Sequence, residues 1–257
     1  MRELMVDRRK SIMEDLYQNG SVKASTLASI HNVGIETIRR DLKKLADEYG
    51  FELTYGGAYI REISPFENYR EKPLSVKRSE NQDAKSIIAK KAAQLVDTGD
   101  IIALNSGSTT ESMLPHLENK TPLNLLTLDI NIAYSASKIT GLDVFFPGGK
   151  IRFQSGIAVG LSVREYINLF HIDKLFFGAS AVSLQKGITH PVIEEIEINQ
   201  DLIDVSNKRY LLVDSSKFNK VGMLSLAPLS VFDAIIVDDQ FPDEYRRFFE
   251  LQDIQII

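Results

Sequence analysis

Six apolar runs of strand length punctuate the chain from residue 85 onwards: Ile101 to Leu104, Leu123 to Leu128, Val144 to Phe146, Leu175 to Gly178, Tyr210 to Val213 and Ala234 to Val237. They are continuous and do not alternate with polar residues, so each predicts a strand buried on both faces. Helical stretches lie between them, among them Asp83 to Val96 and Thr110 to Leu117. Strands of this kind separated by helices predict an α/β domain with a largely parallel, doubly wound sheet. No internal repeat or low-complexity tract interrupts residues 83–257, a length of about 175 that suits one domain.

The first sixty residues have a helical period instead. Arg9, Ile12, Met13, Leu16 and Tyr17 follow i, i+3, i+4 spacing, and the turn pair Asn19-Gly20 ends the segment. A second short helix runs through Ala24, Leu27, Ala28 and Ile30, and His31-Asn32-Val33-Gly34 breaks it. A third begins at Ile35 with Ile38, Leu42 and Leu45 facing inward. Three short helices with a tight second turn predict a helix-turn-helix. After Gly50 the period changes to two, through Phe51-Glu52-Leu53-Thr54, Tyr55-Gly56-Gly57 and Ala58-Tyr59-Ile60, which predicts a small hairpin, the wing of a winged helix. Residues 62–82 carry many charges, two prolines and no steady period, and read as a linker, with Phe66 and Tyr69 able to dock on the second domain. The expected fold class is therefore α+β multidomain: a winged helix-turn-helix at 1–61, a linker at 62–82 and a doubly wound α/β domain at 83–257.

Composition removes whole classes of chemistry. Among 257 residues there is no cysteine, so disulfides, thiolate metal sites and cysteine nucleophiles are excluded. The four histidines, His31, His116, His171 and His190, have no metal-ligand spacing, and no metal is expected. The start MRELMVDRRK alternates charged with apolar residues and no apolar run approaches the roughly 20 residues that span a bilayer, so no membrane partner and a cytoplasmic location are expected. The formal charge of −5 counts against nucleic acid only until it is divided. Residues 1–61 hold ten Lys/Arg and nine Asp/Glu, for +1; residues 62–257 hold 20 and 26, for −6.

Within the third helix Arg39, Arg40, Lys43 and Lys44 cluster with Thr37 away from the apolar stripe. Such a cluster can neutralise phosphates, arginine can read guanine, and threonine can bond phosphate or touch a thymine methyl; a merely solvated face has the same composition. The words decide more than the charge. Thr37-Ile38-Arg39-Arg40-Asp41-Leu42-Lys43-Lys44-Leu45 and, further on, Tyr55-Gly56-Gly57-Ala58 resemble the signature of the DeoR-type bacterial transcription regulators, T-I-R-R-D-L followed by H-G-G-A. Gly34 replaces the serine usual before that helix, and Tyr55 the usual histidine. Asp41 would repel phosphate if it faced DNA, so it is expected to pair with a nearby Arg or Lys.

In the second domain Leu104-Asn105-Ser106-Gly107-Ser108-Thr109-Thr110-Glu111 follows an apolar strand and precedes a helical run, the place where anions bind in open α/β sheets. Gly107 permits close backbone approach, and Ser106, Ser108, Thr109 and Thr110 add hydroxyl donors, though such residues also serve as plain helix caps. No nucleotide-binding glycine motif is present, so a sugar phosphate fits better than ATP or NAD, and no cofactor is expected. The same family carries D-S-G-[ST]-T-T at this place, and the chain is further similar to it in Phe146-Pro147-Gly148-Gly149, Gly178-Ala179, Gly187-Ile188-Thr189 and Val213-Asp214-Ser215-Ser216-Lys217-Phe218. Asn105 stands in place of the family's aspartate. Lys217, at a strand's carboxyl end, is the expected cationic partner of a phosphate; Arg152 and Asp129 are weaker candidates for the sugar hydroxyls.

The second domain is also similar to ribose-5-phosphate isomerase, which shares a G-S-T-T loop and a late D-x-S-K. That enzyme's central strand ends in D-G-A-D-E; here Phe177-Gly178-Ala179-Ser180-Ala181 lacks both aspartates, and the K-G-G-G segment is absent. Glu194, Glu195 and Glu197 lie just downstream, with at least one expected to face solvent. Aldose–ketose isomerisation needs a base and acids at the reacting carbons, so no enzyme activity is expected. The resemblance implies a DNA-binding repressor of a sugar-metabolism operon, acting as a homo-oligomer, dimer or tetramer, on operator DNA, with a phosphorylated sugar effector in the second domain.

Overall fold

The computed structural model describes residues 8–59, apart from residues 10, 14, 17, 18 and 50, and residues 74–257. Phe66 and Tyr69 lie outside the described residues. The described residues of 8–19 are helical (α1), followed by β1 (Ser21–Lys23), α2 (Ala24–Ile30), α3 (Ile35–Tyr49) and the hairpin β2 (Glu52–Thr54) and β3 (Gly57–Tyr59). The apolar stripes meet as the periodicity requires: Ile12, Met13, Leu16, Ala24, Leu27, Ile38, Leu42 and Leu45 are buried. Ile30 departs from its stripe and is 61% exposed, because α2 ends there.

The wing is larger than the sequence pattern indicates, since β1 adds a third strand in the order β1-β3-β2. Lys23 pairs with Gly57 in antiparallel register, and a Cβ on Gly57 would lie 1.9 Å from the carbonyl oxygen of Val22. Only glycine allows that approach. The second glycine of Tyr55-Gly56-Gly57 is thus a packing requirement, whereas Gly56 has open space around it.

In the second domain all six expected strands form. They are β4 (Ile101–Leu104), β5 (Leu123–Thr127), β6 (Leu142–Phe145), β9 (Ile172–Gly178), β12 (Ser206–Val213) and β14 (Ala234–Val237). The edge strand β15 (Gln255–Ile256) completes a seven-stranded sheet in the order β6-β5-β4-β9-β12-β14-β15, with every neighbouring pair parallel. Helices cover both faces. Ile102, Leu104, Leu125 and Phe176 point into one core layer with α5 (Gln82–Gln94) and α7 (Ile130–Ala136). Ala103, Leu126, Leu175 and Phe177 point into the other, with α8 (Leu161–Ile167), α9 (Ile196–Asp204) and α10 (Asp243–Leu251). Alternate residues of one continuous apolar run therefore serve two cores, which is why the runs show no period of two.

Counted along the chain, the strand order is three outward from β4 to β6 and then, from β9, outward the other way. The winding reverses between β4 and β9, and ligands of open α/β sheets collect outside the carboxyl ends of the strands at such a point. Around that edge lie a hairpin of β7 (Lys150–Ile151) and β8 (Ala158–Val159), and a small antiparallel sheet of β10 (Ala181–Ser183), β11 (Gly187–His190) and β13 (Leu224–Ala227).

Two expectations need correction. The helix expected from Thr110 to Leu117 is a single α turn, α6 (Ser108–Glu111), with a 3-10 turn at Leu114–His116. Residues 74–82, read as linker, contain the helix α4 (Leu74–Ser79) and the start of α5. α4 buries no residue completely, so its sequence has no apolar stripe to announce it. Buried Lys85 compensates: its ammonium donates to the carbonyls of Lys77 and Glu80 at the helix's C-terminal end.

Candidate functional site

A cleft opens at the switch point. Its walls include Asn105, Ser106, Gly107, Ser108 and Thr109 after β4, Asp129 after β5, Gly178, Ala179 and Ser180 after β9, and Lys217 after β12. All but two of the residues expected to bind an effector therefore line one cavity. Gly107 has φ +144°, a conformation that L side chains rarely adopt, and this bend turns the chain from β4 into α6. The first-turn amides of α6 have no acceptor within the helix and carry partial positive charge. The loop's hydroxyls divide by task. Thr110 is fully buried outside the cleft wall, and its hydroxyl reaches the carbonyls of Asn105 (2.8 Å) and Gly107 (2.9 Å), bracing the loop instead of lining the cavity. Ser108 donates to the Lys77 carbonyl of α4 at 3.1 Å. Ser106 and Thr109 line the cleft with no hydrogen-bond partner among the described residues.

Asn105 ties the two sides of the switch point together. Its Oδ1 accepts from Gly178 N (2.8 Å) and its Nδ2 donates to Gly178 O (3.0 Å). An aspartate could make the first bond but would set a carboxylate oxygen against the Gly178 carbonyl in the second. The asparagine thus closes the β4–β9 seam with a two-way amide pair, and at 4% exposure it does so away from water.

Asp129 caps α7, its Oδ1 accepting from Asn131 N at 2.8 Å and Asn131 Nδ2 at 2.9 Å. Burial pushes its carboxyl up from the ordinary value, against the lowering effect of the Asn131 bonds, and Glu111 adds a smaller upward push. Lys217 sits in the 3-10 turn after β12, its Nζ 3.9 Å from Asp214 Oδ2. The fully buried Tyr245 steadies the segment just after it: the phenol donates to Val182 O and accepts from Asn219 N, each at 3.1 Å.

Arg152 does not line the cleft. Its guanidinium bonds the Glu195 carboxylate, which is only 2% exposed and does line it. Ser155 Oγ donates to the same carboxylate at 3.2 Å, and His190 Nε2 lies 3.4 Å from its other oxygen. His190 Nδ1 lies 3.2 Å from Val192 N and 3.3 Å from Val192 O, which fixes the ring with Nε2 towards the glutamate. Asn199 Nδ2 then donates to the Glu195 carbonyl at 2.7 Å, while its Oδ1 is 3.4 Å from Asn105 Nδ2. Glu194 and Glu197 are exposed, so of the three glutamates one is inside and two are out.

Sequence reasoning missed Lys77, Ser155, His190 and Asn199 as cleft residues, and weighed Glu195 only as a catalytic acid. Lys77 stood in the charged, aperiodic stretch and gave no signal. His190 came directly after the Gly187-Ile188-Thr189 segment, which did.

On the head, α3 presents Arg39, Arg40, Lys43 and Lys44 to solvent, with Thr37 half-buried. Arg39 bonds Glu36 one turn earlier at 2.6 Å. Asp41 lies on the inward side at 2% exposure, where Arg8 holds its Oδ2 at 2.6 Å and Arg9 its Oδ1 at 2.7 Å. Its partners come from α1 and not from its own helix, so the carboxylate both fastens α1 to α3 and leaves the basic face. Tyr55, at the tip of the wing, is 98% exposed.

Among the described residues no group of three or more His, Cys, Asp or Glu could hold a metal ion, and no helix is long and apolar enough to cross a membrane. Residues 8–63 match the DeoR-like helix-turn-helix domain and residues 80–239 the DeoR C terminal sensor domain. The HTH-type transcriptional regulator YgbI of Escherichia coli (strain K12) is 31% identical over 252 residues, 98% of this chain and 97% of that one. The glycerol-3-phosphate regulon repressor of the same strain is 26% identical over 249 residues, 97% of each. Ribose 5-phosphate isomerase A of Methanocaldococcus jannaschii superposes over 54% of this chain and 55% of its own, with 19% identity and a TM-score of 0.41. Both matched domains, in this order and over nearly the full length, place the chain in the DeoR family of transcriptional regulators.

Proposed function

We propose that this chain represses a sugar-metabolism operon, binding operator DNA through α3 and the wing and releasing it, or tightening on it, when a phosphorylated sugar fills the cleft. The reading rests on one juxtaposition: a hydroxyl-lined loop and Lys217 converge where the sheet reverses, beside the buried acceptors Asp129 and Glu195. A phosphate suits the first group and sugar hydroxyls the second. The name of the glycerol-3-phosphate regulon repressor agrees with a repressing role. On the head, Arg39, Arg40, Lys43 and Lys44 are the expected phosphate and base contacts, with Thr37 beside them.

A symmetric operator calls for a homo-oligomer, dimer or tetramer, whose two heads are spaced by the sensor domains. Turnover is not part of this reading. Ala179 and Ser180 stand at the end of β9 where acids would be needed, and Glu195 is held by Arg152 and Ser155, with His190 Nε2 3.4 Å away. The test is gel-shift binding to DNA upstream of the chain's own gene. Wild type should bind with a steep salt dependence, and Arg39→Ala with Arg40→Ala should flatten the salt slope by about two phosphate contacts. No binding at low salt, or no change in the double variant, removes the reading.

A further inference from the structure

We propose that Lys77 is a ligand-binding residue of the cleft, so that the short helix leading from the DNA-binding head forms part of the effector site and is fixed by its occupant. This rests on the reading of the cleft as an anion site.

Three observations carry the inference. Leu74 and Lys77, both on α4, line the same cleft as Lys217 and the Ser106–Thr109 loop. Among the described residues the Lys77 side chain has no carboxylate partner, although it is half-buried, so this cation borders a cavity with its charge uncompensated. Carboxylate partners hold its neighbours: Arg78 is bonded twice to Glu111 of α6, at 2.6 and 2.8 Å, and Lys217 lies near Asp214.

α4 buries no residue completely, and the side-chain hydrogen bonds that attach it to the sensor domain are few. Those contacts converge on the anion loop: Ser108 Oγ to the Lys77 carbonyl, and Arg78 to Glu111 in the same short helix as Ser108. Just beyond its C-terminal end, Asn81 donates to Asp214 Oδ1 (3.1 Å) and to Ser216 Oγ (2.8 Å), in the segment that carries Lys217. An anion held by Lys77, the loop and Lys217 would therefore connect α4 to both walls of the cleft at once. Residues 60–73 are all that separate α4 from the last strand of the wing, so ordering α4 alters how the head is tethered. The class of ligand is a phosphate monoester, whose dianion would be met by both Lys217 and Lys77 beside the loop amides.

The experiment uses the full chain with inorganic phosphate as probe. Calorimetry reads binding, and hydrogen exchange reads the α4 amides in wild type, Lys77→Ala and Lys217→Ala. Phosphate should slow α4 exchange in wild type by about fivefold or more, a change of the size that couples sites. Lys77→Ala should keep the melting temperature of the unliganded protein, bind phosphate about tenfold more weakly, and show no slowing of α4 even at saturation. Wild-type affinity in Lys77→Ala, or α4 exchange indifferent to saturating phosphate in wild type, overturns the proposal. If Lys217→Ala alone weakens binding, the cleft reading stands and the Lys77 assignment falls; if wild type binds no phosphate, both fall.

Discussion

Asn105 shows how one atom can decide a seam. Its amide meets a donor and an acceptor of the same residue, Gly178, and only an amide satisfies both. Asn105→Asp should therefore cost about 1 to 3 kcal/mol of stability, the penalty for a buried polar group left facing the wrong partner. Urea unfolding at neutral pH measures it, and an unchanged midpoint would contradict the clamp. Asp129 poses the opposite case, a carboxylate that burial makes reluctant to ionise. Its folded-state pKa lies above its unfolded one, so protonation favours the native state. The stabilisation is complete below the ordinary carboxylate range and is lost as pH rises through the raised value. Asp129→Asn keeps a side-chain oxygen to cap α7 and removes the titration. The variant should gain stability relative to wild type as pH rises from the ordinary carboxylate range towards neutrality, and a pH-independent difference in thermal midpoints would count against the burial effect. Both residues were legible from sequence as positions. Their roles were not, because pairing across the sheet with Gly178 and across the turn with Asn131 leaves no periodic signal in the sequence.

Among elements, the long apolar strands were readable to within a few residues, since full burial on two faces leaves no other composition open to them. Of the small elements the wing hairpin was readable, but β1 and α4 were not. β1 is three residues that pair with β3 because Gly57, lacking a side chain, lets the Val22 carbonyl come close. α4 has no buried stripe and is held by Lys85 and Arg78 through polar bonds, a kind of support that hydrophobic periodicity does not register. The Gly57 contact yields a sharp prediction. A methyl group at 1.9 Å from the Val22 oxygen cannot be accommodated without parting β1 from β3, and neither atom belongs to a flexible side chain. Gly57→Ala should abolish DNA binding and lower the head's thermal transition, while phosphate binding by the sensor domain stays within about twofold of wild type, as distant sites are nearly independent. Calorimetry with two resolved transitions checks it, and retained DNA affinity would show the strand pairing to be dispensable.

For the whole molecule, the net charge of −5 is an average over a head at +1 and a remainder at −6. The averaging hides a local concentration: α3 shows four cations to solvent, while the inward carboxylate of Asp41 is paired with Arg8 and Arg9. The cleft proposed to hold the effector lies in the acidic part, yet its walls carry helix-start amides, hydroxyls and lysines. Coupling between the two sites is the central claim, and a ligand shifts operator affinity only by its differential binding to the two states of the protein, typically 1 to 3 kcal/mol. The most direct measurement is fluorescence anisotropy of the full chain on DNA from upstream of its own gene, titrated with a panel of sugar phosphates whose binding to the same protein is established by calorimetry. A sugar phosphate that binds should change operator affinity by about fivefold or more in wild type, and Lys217→Ala should remove the change while leaving ligand-free operator affinity intact. Operator affinity that is the same with and without a ligand shown to occupy the cleft would contradict the account.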